Sequence, residues 1–239
     1  WADLSHKMGY WVDMEHPYIT YDNKYIETLW WLLKQLYQKD LLYKGYTIQP
    51  YSPAAGTGLS SHELNQPGCY RDVKDTTVTA QFKVTECNLS SLNTLTNQTT
   101  PLYFLAWTTT PWTLPSNTAL CVGPKIDYVA VKGNNPYTSQ QAIYITSQAR
   151  LSAYFQTEEG KEPEIVWRGK GSDLVGLKYE QLFPWVKPCA IEKDKVVDKS
   201  AEAFRVIPGD YVTTEDGTGI VHIAPTFGAA DAKVAGDAG

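Results

Sequence analysis

The first strong periodic pattern of apolar residues in this chain begins after Asp22 and Asn23. The apolar positions recur at the spacing of one helical stripe, namely Ile26, Leu29, Trp30, Leu33, Leu36 and Tyr37. Either Asp22 or Asn23 can cap this helix, and the pattern predicts roughly 16 residues that end near Lys39 and Asp40. We interpret it as an amphipathic core helix, because its polar residues fall on the opposite side.

The composition changes between residues 46 and 68, where Pro, Ser, Gly and Thr dominate. Such a composition is typical of a loop or a small irregular module, and it marks the first candidate boundary. The predicted organisation is a helical segment with an irregular connector over residues 1–75, followed by a β-rich domain over residues 76–239.

Short β-prone segments separated by turn residues follow this boundary. They are residues 77–84, 102–108, 119–122, 128–132, 142–146, 164–168, 187–191, 203–207 and 219–223. The series indicates a closed or strongly curved antiparallel sheet. Short helices are predicted at 147–155, with Ser147 as the cap, and at 173–183, and the polar stretch 88–100 is predicted to be a loop. The predicted class is therefore α+β, predominantly β, with peripheral helices and an N-terminal appendage.

Composition narrows the possibilities further. The 239 residues include 43% apolar residues and carry a formal charge of −5, which argues against disorder and gives no global attraction to RNA. No apolar run approaches the roughly 18 residues of a membrane span. The four cysteines form no C-x-x-C pair, so no zinc site is expected. A cytoplasmic, monomeric fragment excised from a longer protein is the expectation, because the chain opens on Trp1 without a signal peptide.

The first candidate for chemistry is the segment from Trp107 to Asn117, where three consecutive threonines end a predicted strand and two prolines stiffen the backbone that follows. Hydroxyl groups on a stiff turn can hold a polar ligand or a water molecule. The alternative is that Thr108 and Thr110 only extend the strand and that the prolines only end it.

The second candidate runs from Asp216 to Asp231. A Gly-Thr-Gly turn starts a strand, His222 lies near the end of that strand, and Gly228 permits a bend that brings Asp231 to the start of a helix. A structural histidine and a helix-capping carboxylate are the alternatives for each residue taken alone. Together they predict an imidazole and a carboxylate at one end of the sheet.

Several reaction classes lack their signatures here: the chain has no G-x-S-x-G elbow, no H-E-x-x-H, no Walker motif and no G-x-G-x-x-G after a strand. The residues by themselves therefore indicate a β-rich ligand pocket built from the threonine turn and the His222 and Asp231 strand end, and they indicate no particular reaction.

At both clusters the sequence resembles isoleucyl-tRNA synthetase, in the connective polypeptide that forms the editing domain of that family. The segments W-T-T-T-P-W-T-L-P-S-N at 107–117 and G-T-G-I-V-H-I-A-P-T-F-G-A-A-D at 217–231 look like its two editing motifs. The resemblance continues upstream through G-Y-W-V-D at 9–13, the Trp30 helix and L-Y-K-G at 42–45. It implies a β-barrel-like editing domain over residues 76–239 and a zinc-module-like connector before it.

The resemblance also implies an activity, the hydrolysis of mischarged Val-tRNA(Ile) with exclusion of Ile-tRNA(Ile) by size. A binding pocket rejects a missing methylene by only about 1–3 kcal/mol, so a second sieve is needed for accuracy. No cofactor is expected for editing, since ATP serves the aminoacylation site, whose motifs are absent. The expected partners are the 3′ end of tRNA(Ile) carrying valine, valyl-adenylate, and the rest of the parent synthetase.

The resemblance assigns roles to individual residues. Asp231 is expected to bind the substrate α-ammonium, and His222 to form the wall beside the side chain, with general-base action as a weaker variant. Thr110 completes the expected catalytic set and, like Thr109 and Thr113, would contact the amino acid, the terminal adenosine or the water. The remaining expected contacts are Thr108, Thr109, Thr113, Asn117, Trp112 and Gly228.

Two departures from the family pattern affect these expectations. Ser52 and Ala55 stand where many relatives have zinc-binding thiolates, so no metal is expected in the connector. Ala230 stands where many relatives have an acidic residue. The alternative function is therefore a catalytically weak module of the same fold that binds a nucleotide or an aminoacyl-adenosine. An unrelated all-β interaction domain is the third hypothesis.

Overall fold

The computed structural model describes residues 1–45, 47–90, 92, 100–155, 163–192 and 195–239. Contacts divide the chain into two units, Trp1–Thr47 and Ile48–Gly239. The irregular segment after residue 47 thus groups with the β-rich part, whereas the sequence analysis placed the division after residue 75. Residues 91 and 93–99 of the predicted loop at 88–100 lie outside the described residues.

The first unit contains the helices α1 (Ala2–Lys7) and α2 (Asn23–Gln38). Helix α2 has the predicted length of 16 residues. The Asp22 side chain caps it by accepting a hydrogen bond from the Lys24 N–H at 2.8 Å. None of its residues is buried, so the apolar stripe does not form a core within this unit.

The second unit begins with a small hairpin of β1 (Tyr51–Ser52) and β2 (Thr57–Gly58), followed by α3 (Ser61–Leu64). Ser60 and Glu63 form a reciprocal capping box at the start of α3. The sequence that departs from the zinc-binding pattern thus folds as a hydrogen-bonded turn and a capped helix.

The strands that follow are β3 (Val78–Glu86), β4 (Leu102–Thr108), β5 (Ala119–Val122), β6 (Asp127–Asn134), β7 (Gln141–Ser147), β8 (Glu164–Lys170), β9 (Lys178–Tyr179), β10 (Cys189–Glu192), β11 (Lys195–Asp198), β12 (Arg205–Pro208) and β13 (Ile220–Ile223). Strands β10 and β11 form a separate hairpin. The other nine form one sheet in the order β13-β5-β12-β9-β3-β4-β7-β6-β8. Further helices among the described residues are α4 (Leu151–Tyr154), α5 (Gly171–Leu174) and α6 (Ala229–Ala238), together with 3-10 turns at Pro111–Ser116 and Gln148–Arg150.

The α+β, predominantly β class is confirmed, and each predicted β segment contains a strand. The sheet is nevertheless mixed, because β4 pairs with β7 and β5 pairs with β12 in parallel. Parallel neighbours need a crossover connection, which spacing along the sequence does not reveal. Strands β13 and β8 end the hydrogen-bonded order, so the described strands do not close into the barrel expected from sequence.

The helix predicted at 173–183 is wrong in extent. Helix α5 ends at Leu174, and Gly176 then adopts a positive φ of 87°, which leads the chain into strand β9. Burial of Leu174 and Leu177 in the core produces an apolar spacing that looks helical in the sequence. The helix predicted at 147–155 is present as a 3-10 turn followed by α4, although Ser147 makes no side-chain capping bond.

The main core lies against the sheet and holds large side chains that are fully enclosed. Its largest members are Tyr128, Phe82, Phe104, Leu92, Leu102, Leu120 and Ile145. This core fixes the ends of β4 and β13, which contact each other and carry the two predicted clusters. None of the described helices is long and apolar enough to span a bilayer.

Candidate active site

A cavity of about 560 Å³ lies where the two sequence clusters meet. Its walls come from the end of β4, the threonine turn after it, the Gly-Thr-Gly turn before β13, and the start of α6. The predicted residues that line it are Thr108, Thr109, Thr110, Thr113, His222, Gly228 and Asp231. The fold therefore brings together two segments that are about a hundred positions apart in the sequence. The volume of the cavity lies within the range of about 300–1,000 Å³ that is typical of small-ligand pockets.

The threonine turn is held by its own hydroxyl groups. The Oγ1 atom of Thr108 accepts a hydrogen bond from the Thr110 N–H at 3.0 Å. Pro111 starts the 3-10 turn that follows, and Thr113 Oγ1 donates to the Thr110 carbonyl at 2.8 Å. Thr108 is buried, whereas Thr109 and Thr110 are exposed on the turn. Hydrogen bonds within the turn thus hold its backbone in this conformation.

His222 is buried, with 7% of its surface exposed. Its Nε2 atom lies 3.0 Å from Thr113 Oγ1, and its Nδ1 atom is enclosed without a hydrogen-bond partner. Burial lowers the pKa of His222 below its usual value of 6.5, and the nearby Asp231 carboxylate opposes this effect only in part. The imidazole is therefore neutral at pH 7.

Asp231 occupies the first turn of α6. Its Oδ2 atom accepts a hydrogen bond from the Ala224 N–H at 3.0 Å, and the helix N-terminus favours its negative charge. Burial, with a smaller contribution from this carboxylate, raises the pKa of the Cys121 thiol to about 11. Cys121 therefore stays protonated and does not compete for a cationic ligand.

The Gly-Thr-Gly turn is held by hydrogen bonds from Arg150 and Tyr128 to its carbonyl groups. Gly217 and Gly219 both adopt positive φ angles, of 64° and 74°. Arg150 Nε donates to the Gly217 carbonyl at 3.0 Å, and the buried Tyr128 hydroxyl donates to the Gly219 carbonyl at 2.6 Å. Because L side chains rarely adopt such angles, glycine is required for this turn to form the wall of the cavity.

Two predicted contact residues do not line the cavity. Asn117 is buried, and its side chain is fully used: Nδ2 donates to the Ala119 carbonyl at 2.8 Å and Oδ1 accepts from the Tyr179 hydroxyl at 2.7 Å. Trp112 is 68% exposed on the 3-10 turn. Neither residue is among those that line the cavity, and their contact with substrate stays a prediction.

Several further lining residues were not selected as site residues from the sequence, and those with aromatic or polar side chains are Trp107, Tyr211, Thr213, Asp216, Thr218 and Phe227. Trp107 and Asp216 are the first residues of the two candidate segments, so their position was the available signal. Tyr211 and Thr213 precede the second motif in a segment without periodicity, and no pattern marks them.

The described part of the chain contains no group of three His, Cys, Asp or Glu residues that could hold a metal ion. The ionisable side chains that line the cavity are those of Asp216, Asp231, Tyr211 and His222. None of the described residues in this lining is a Lys or an Arg. Such a site is suited to a ligand with a positive charge.

The cavity thus combines a threonine turn with a strand histidine and a helix-start aspartate. The chain belongs to the class I tRNA synthetases (I, L, M and V), whose family model matches residues 1–208. The isoleucine–tRNA ligase of Bacteroides thetaiotaomicron is 64% identical over the full chain, which covers 21% of that relative. Those of Porphyromonas gingivalis and Treponema denticola are 57% and 45% identical over the full chain, covering 21% and 22% of the relatives.

The sequence-based resemblance to isoleucyl-tRNA synthetase is confirmed by these relatives, and the chain spans about a fifth of their length. Among solved structures, that of GlLeuRS-CP1 has a TM-score of 0.48 and 19% identity, with coverage of 68% of this chain and 59% of the other. The editing domain of the P. knowlesi cytosolic leucyl-tRNA synthetase has a TM-score of 0.46 and 18% identity, with coverage of 65% and 59%.

Proposed function

We propose that this chain is an editing site that hydrolyses the ester bond of Val-tRNA(Ile) and excludes Ile-tRNA(Ile) by size. The observation that carries this proposal is the convergence of Asp231, His222 and the threonine turn on one cavity of about 560 Å³. Their order in the chain matches the two editing motifs that the sequence resembles.

The charge of the cavity favours an aminoacyl ester. The Oδ2 atom of Asp231 accepts a hydrogen bond from the Ala224 N–H, whereas its Oδ1 atom has no hydrogen-bond partner among the described residues. A carboxylate that faces the substrate α-ammonium forms a charge-assisted hydrogen bond, which orients the acyl group. The described lining supplies no cation for the phosphates of a free nucleotide, so the cavity favours a ligand that carries an α-ammonium group.

His222 acts as the wall that limits the acyl side chain. Its Nε2 atom is engaged by Thr113 and its Nδ1 atom is enclosed, so neither nitrogen faces the cavity as a free base. This arrangement therefore favours a role for His222 in size selection over a role as a general base. Removing it should admit isoleucine, which is larger than valine by one methylene.

The exposed hydroxyls of Thr109 and Thr110 bind the attacking water and the terminal ribose. Thr108 stabilises this turn because its Oγ1 atom accepts a hydrogen bond from the Thr110 N–H. An ester is already activated, so a positioned water assisted by the neighbouring ribose hydroxyl suffices without a protein nucleophile or a metal. Gly228 lets the Asp231 carboxylate approach closely.

The partners follow from the same proposal. The chain binds the 3′ end of tRNA(Ile), and it also accepts valyl-adenylate, while the rest of the parent synthetase supplies most of the tRNA contacts and uses ATP for aminoacylation. A net charge of −5 fits this division, because phosphate contacts dominate nucleic-acid affinity. The chain acts as a monomer in the cytoplasm.

The test is the release of amino acid from Val-tRNA(Ile) and Ile-tRNA(Ile) by the 239-residue chain. Asp231→Ala should lower the valine release by at least about 100-fold, since the loss of orientation acts on the acyl group itself. Asp237→Ala is the matched control, because Asp237 is an exposed aspartate on the same helix and does not line the cavity.

His222→Ala should raise the release of isoleucine relative to valine. Equal rates in the wild type and in Asp231→Ala would reject the assignment of the carboxylate. Tight binding of a nonhydrolysable valyl-adenosine analogue without any hydrolysis would instead support the binding-module alternative.

A further inference from the structure

Thr113 connects the threonine turn to His222 through a single hydroxyl group. Its Oγ1 atom lies 2.8 Å from the Thr110 carbonyl oxygen and 3.0 Å from His222 Nε2. A carbonyl oxygen can only accept, so the one hydrogen of the Thr113 hydroxyl is donated to Thr110. The contact with His222 must then use a lone pair of Oγ1, which requires a hydrogen on Nε2.

The other ring nitrogen of His222, Nδ1, carries no hydrogen. The imidazole is neutral at pH 7, so a hydrogen on Nε2 leaves Nδ1 as a bare acceptor. This atom is enclosed and has no partner in the described part of the chain. A buried polar group without a partner is rare and needs an explanation. Here the ring is held in one orientation by its other nitrogen, and Nδ1 is left unpaired as a consequence.

We propose that Thr113 is a positioning residue that fixes His222 as the Nε2–H tautomer and holds its ring as a rigid wall of the cavity. The part of this inference that concerns size selection rests on the proposed editing function. The part that concerns the tautomer rests on the hydrogen-bond geometry and on the burial that keeps the ring neutral. Thr113, which itself lines the cavity, therefore also acts on the substrate through His222.

The supports on both sides of this contact are stiff. Thr113 lies inside the 3-10 turn Pro111–Ser116, in which two prolines fix the backbone φ angles. His222 lies in β13, which pairs antiparallel with β5 at the position opposite Leu120. A wall that must distinguish side chains by one methylene tolerates little ring motion, and a histidine ring otherwise has a broad χ2 distribution.

The tautomer is read directly by ¹⁵N NMR of the 239-residue chain with labelled histidine. The chain has four histidines, and the spectrum of His222→Gln assigns the His222 signals by difference. We expect a neutral ring with the hydrogen on Nε2 at pH 7. A hydrogen on Nδ1, or an exchanging mixture of both tautomers, would overturn the inference whether or not the chain hydrolyses any ester.

Two substitutions separate the hydroxyl from the shape of the residue. Thr113→Val keeps the branched shape and removes the hydroxyl, while Thr113→Ser keeps the hydroxyl. In Thr113→Val we expect a mixture of tautomers, and in Thr113→Ser the Nε2–H form. A wild-type tautomer in Thr113→Val would contradict a positioning role.

Selection by size is measured with nonhydrolysable valyl- and isoleucyl-adenosine analogues, titrated into each variant. The valyl preference of the wild type should fall at least tenfold in Thr113→Val and stay within about threefold of wild type in Thr113→Ser, given that one methylene is worth 10- to 200-fold. An unchanged preference in Thr113→Val would overturn the size-selection part. If the wild type neither binds nor hydrolyses, the proposed function fails, and the tautomer measurement still decides this inference.

Discussion

A methyl group placed on Gly228 would lie 2.9 Å from Cγ of Asp231 and 3.0 Å from its Oδ2. Real Cβ atoms essentially never come so close to another atom, so the carboxylate can keep its position at the start of α6 only because residue 228 has no side chain. Gly228 does not have a positive φ, and the requirement for glycine is therefore one of space rather than of backbone conformation.

Gly228→Ala is accordingly expected to displace the Asp231 carboxylate and to lower the hydrolysis of Val-tRNA(Ile) by about 10- to 100-fold, as misplacement by about 1 Å does in other sites. Single-turnover deacylation measures this loss. Gly236→Ala is the control, because nothing lies within 4 Å of the new methyl group in the same helix. That change should leave the rate intact and stabilise the helix by about 0.5–1 kcal/mol. Equal rates in Gly228→Ala and Gly236→Ala would contradict the steric argument.

Asn117 should affect folding rather than chemistry. Asn117→Ala leaves the Tyr179 hydroxyl buried without its partner, which should lower the free energy of unfolding by about 1–3 kcal/mol. Adding Tyr179→Phe removes the unpaired hydroxyl and should recover part of this loss. Urea denaturation of the two single variants and the double variant measures the coupling. If Asn117→Ala is as stable as the wild type but binds substrate less tightly, Asn117 contacts the substrate as the sequence predicts.

His222 should make the chain less stable in mild acid. Burial lowers its pKa in the folded state, so the unfolded chain takes up a proton first as the pH falls below about 6.5. The free energy of unfolding should therefore decrease from pH 7 toward pH 5, with a slope from this group of at most about 1.4 kcal/mol per pH unit. His222→Gln should flatten that slope in a series of urea denaturations. A parallel pH dependence in the variant would show that other groups cause the change.

Phe227 is the most exposed aromatic residue among those that line the cavity, with 59% of its surface accessible. We expect it to stack on the terminal adenine, so Phe227→Ala should weaken the binding of a nonhydrolysable valyl-adenosine analogue by about 1–3 kcal/mol. Phe227→Trp retains an aromatic face and should bind within a few-fold of wild type. If Phe227→Ala binds normally, Tyr211 and Trp107 become the candidates, and calorimetry of their alanine variants would distinguish them.

The local elements were largely predictable from the sequence. The spacing of apolar residues after Asp22 predicted helix α2 with its correct length and cap, because an isolated amphipathic pattern is set by local geometry alone. The strands followed from β-prone segments between turn residues. The helix at 173–183 was predicted wrongly, because Leu174 and Leu177 are buried by tertiary packing at a spacing that is also helical. Local preference is weak, and tertiary contacts override it.

The candidate site was predictable as one pocket built from two motifs, but the placement of several individual side chains was not. Asp231, His222 and the first threonines stood out by type and order, whereas the orientation of Asn117 and Trp112 depended on a 3-10 turn that spacing does not reveal. Tyr211 and Phe227 reach the cavity through loops, where sequence carries no periodic signal.

The sequence by itself determined the residue types of the site, the capped helix α2, the succession of short strands, and the family to which the chain belongs. The tertiary structure decided that the sheet is mixed and unclosed among the described strands, that β4 and β13 meet, and that one hydroxyl on Thr113 governs the proton on His222. The physical reason is the range of the interactions involved. Helix caps, turns and alternation act over a few residues, whereas the direction of a hydrogen bond between residues 113 and 222 exists only after the chain has folded.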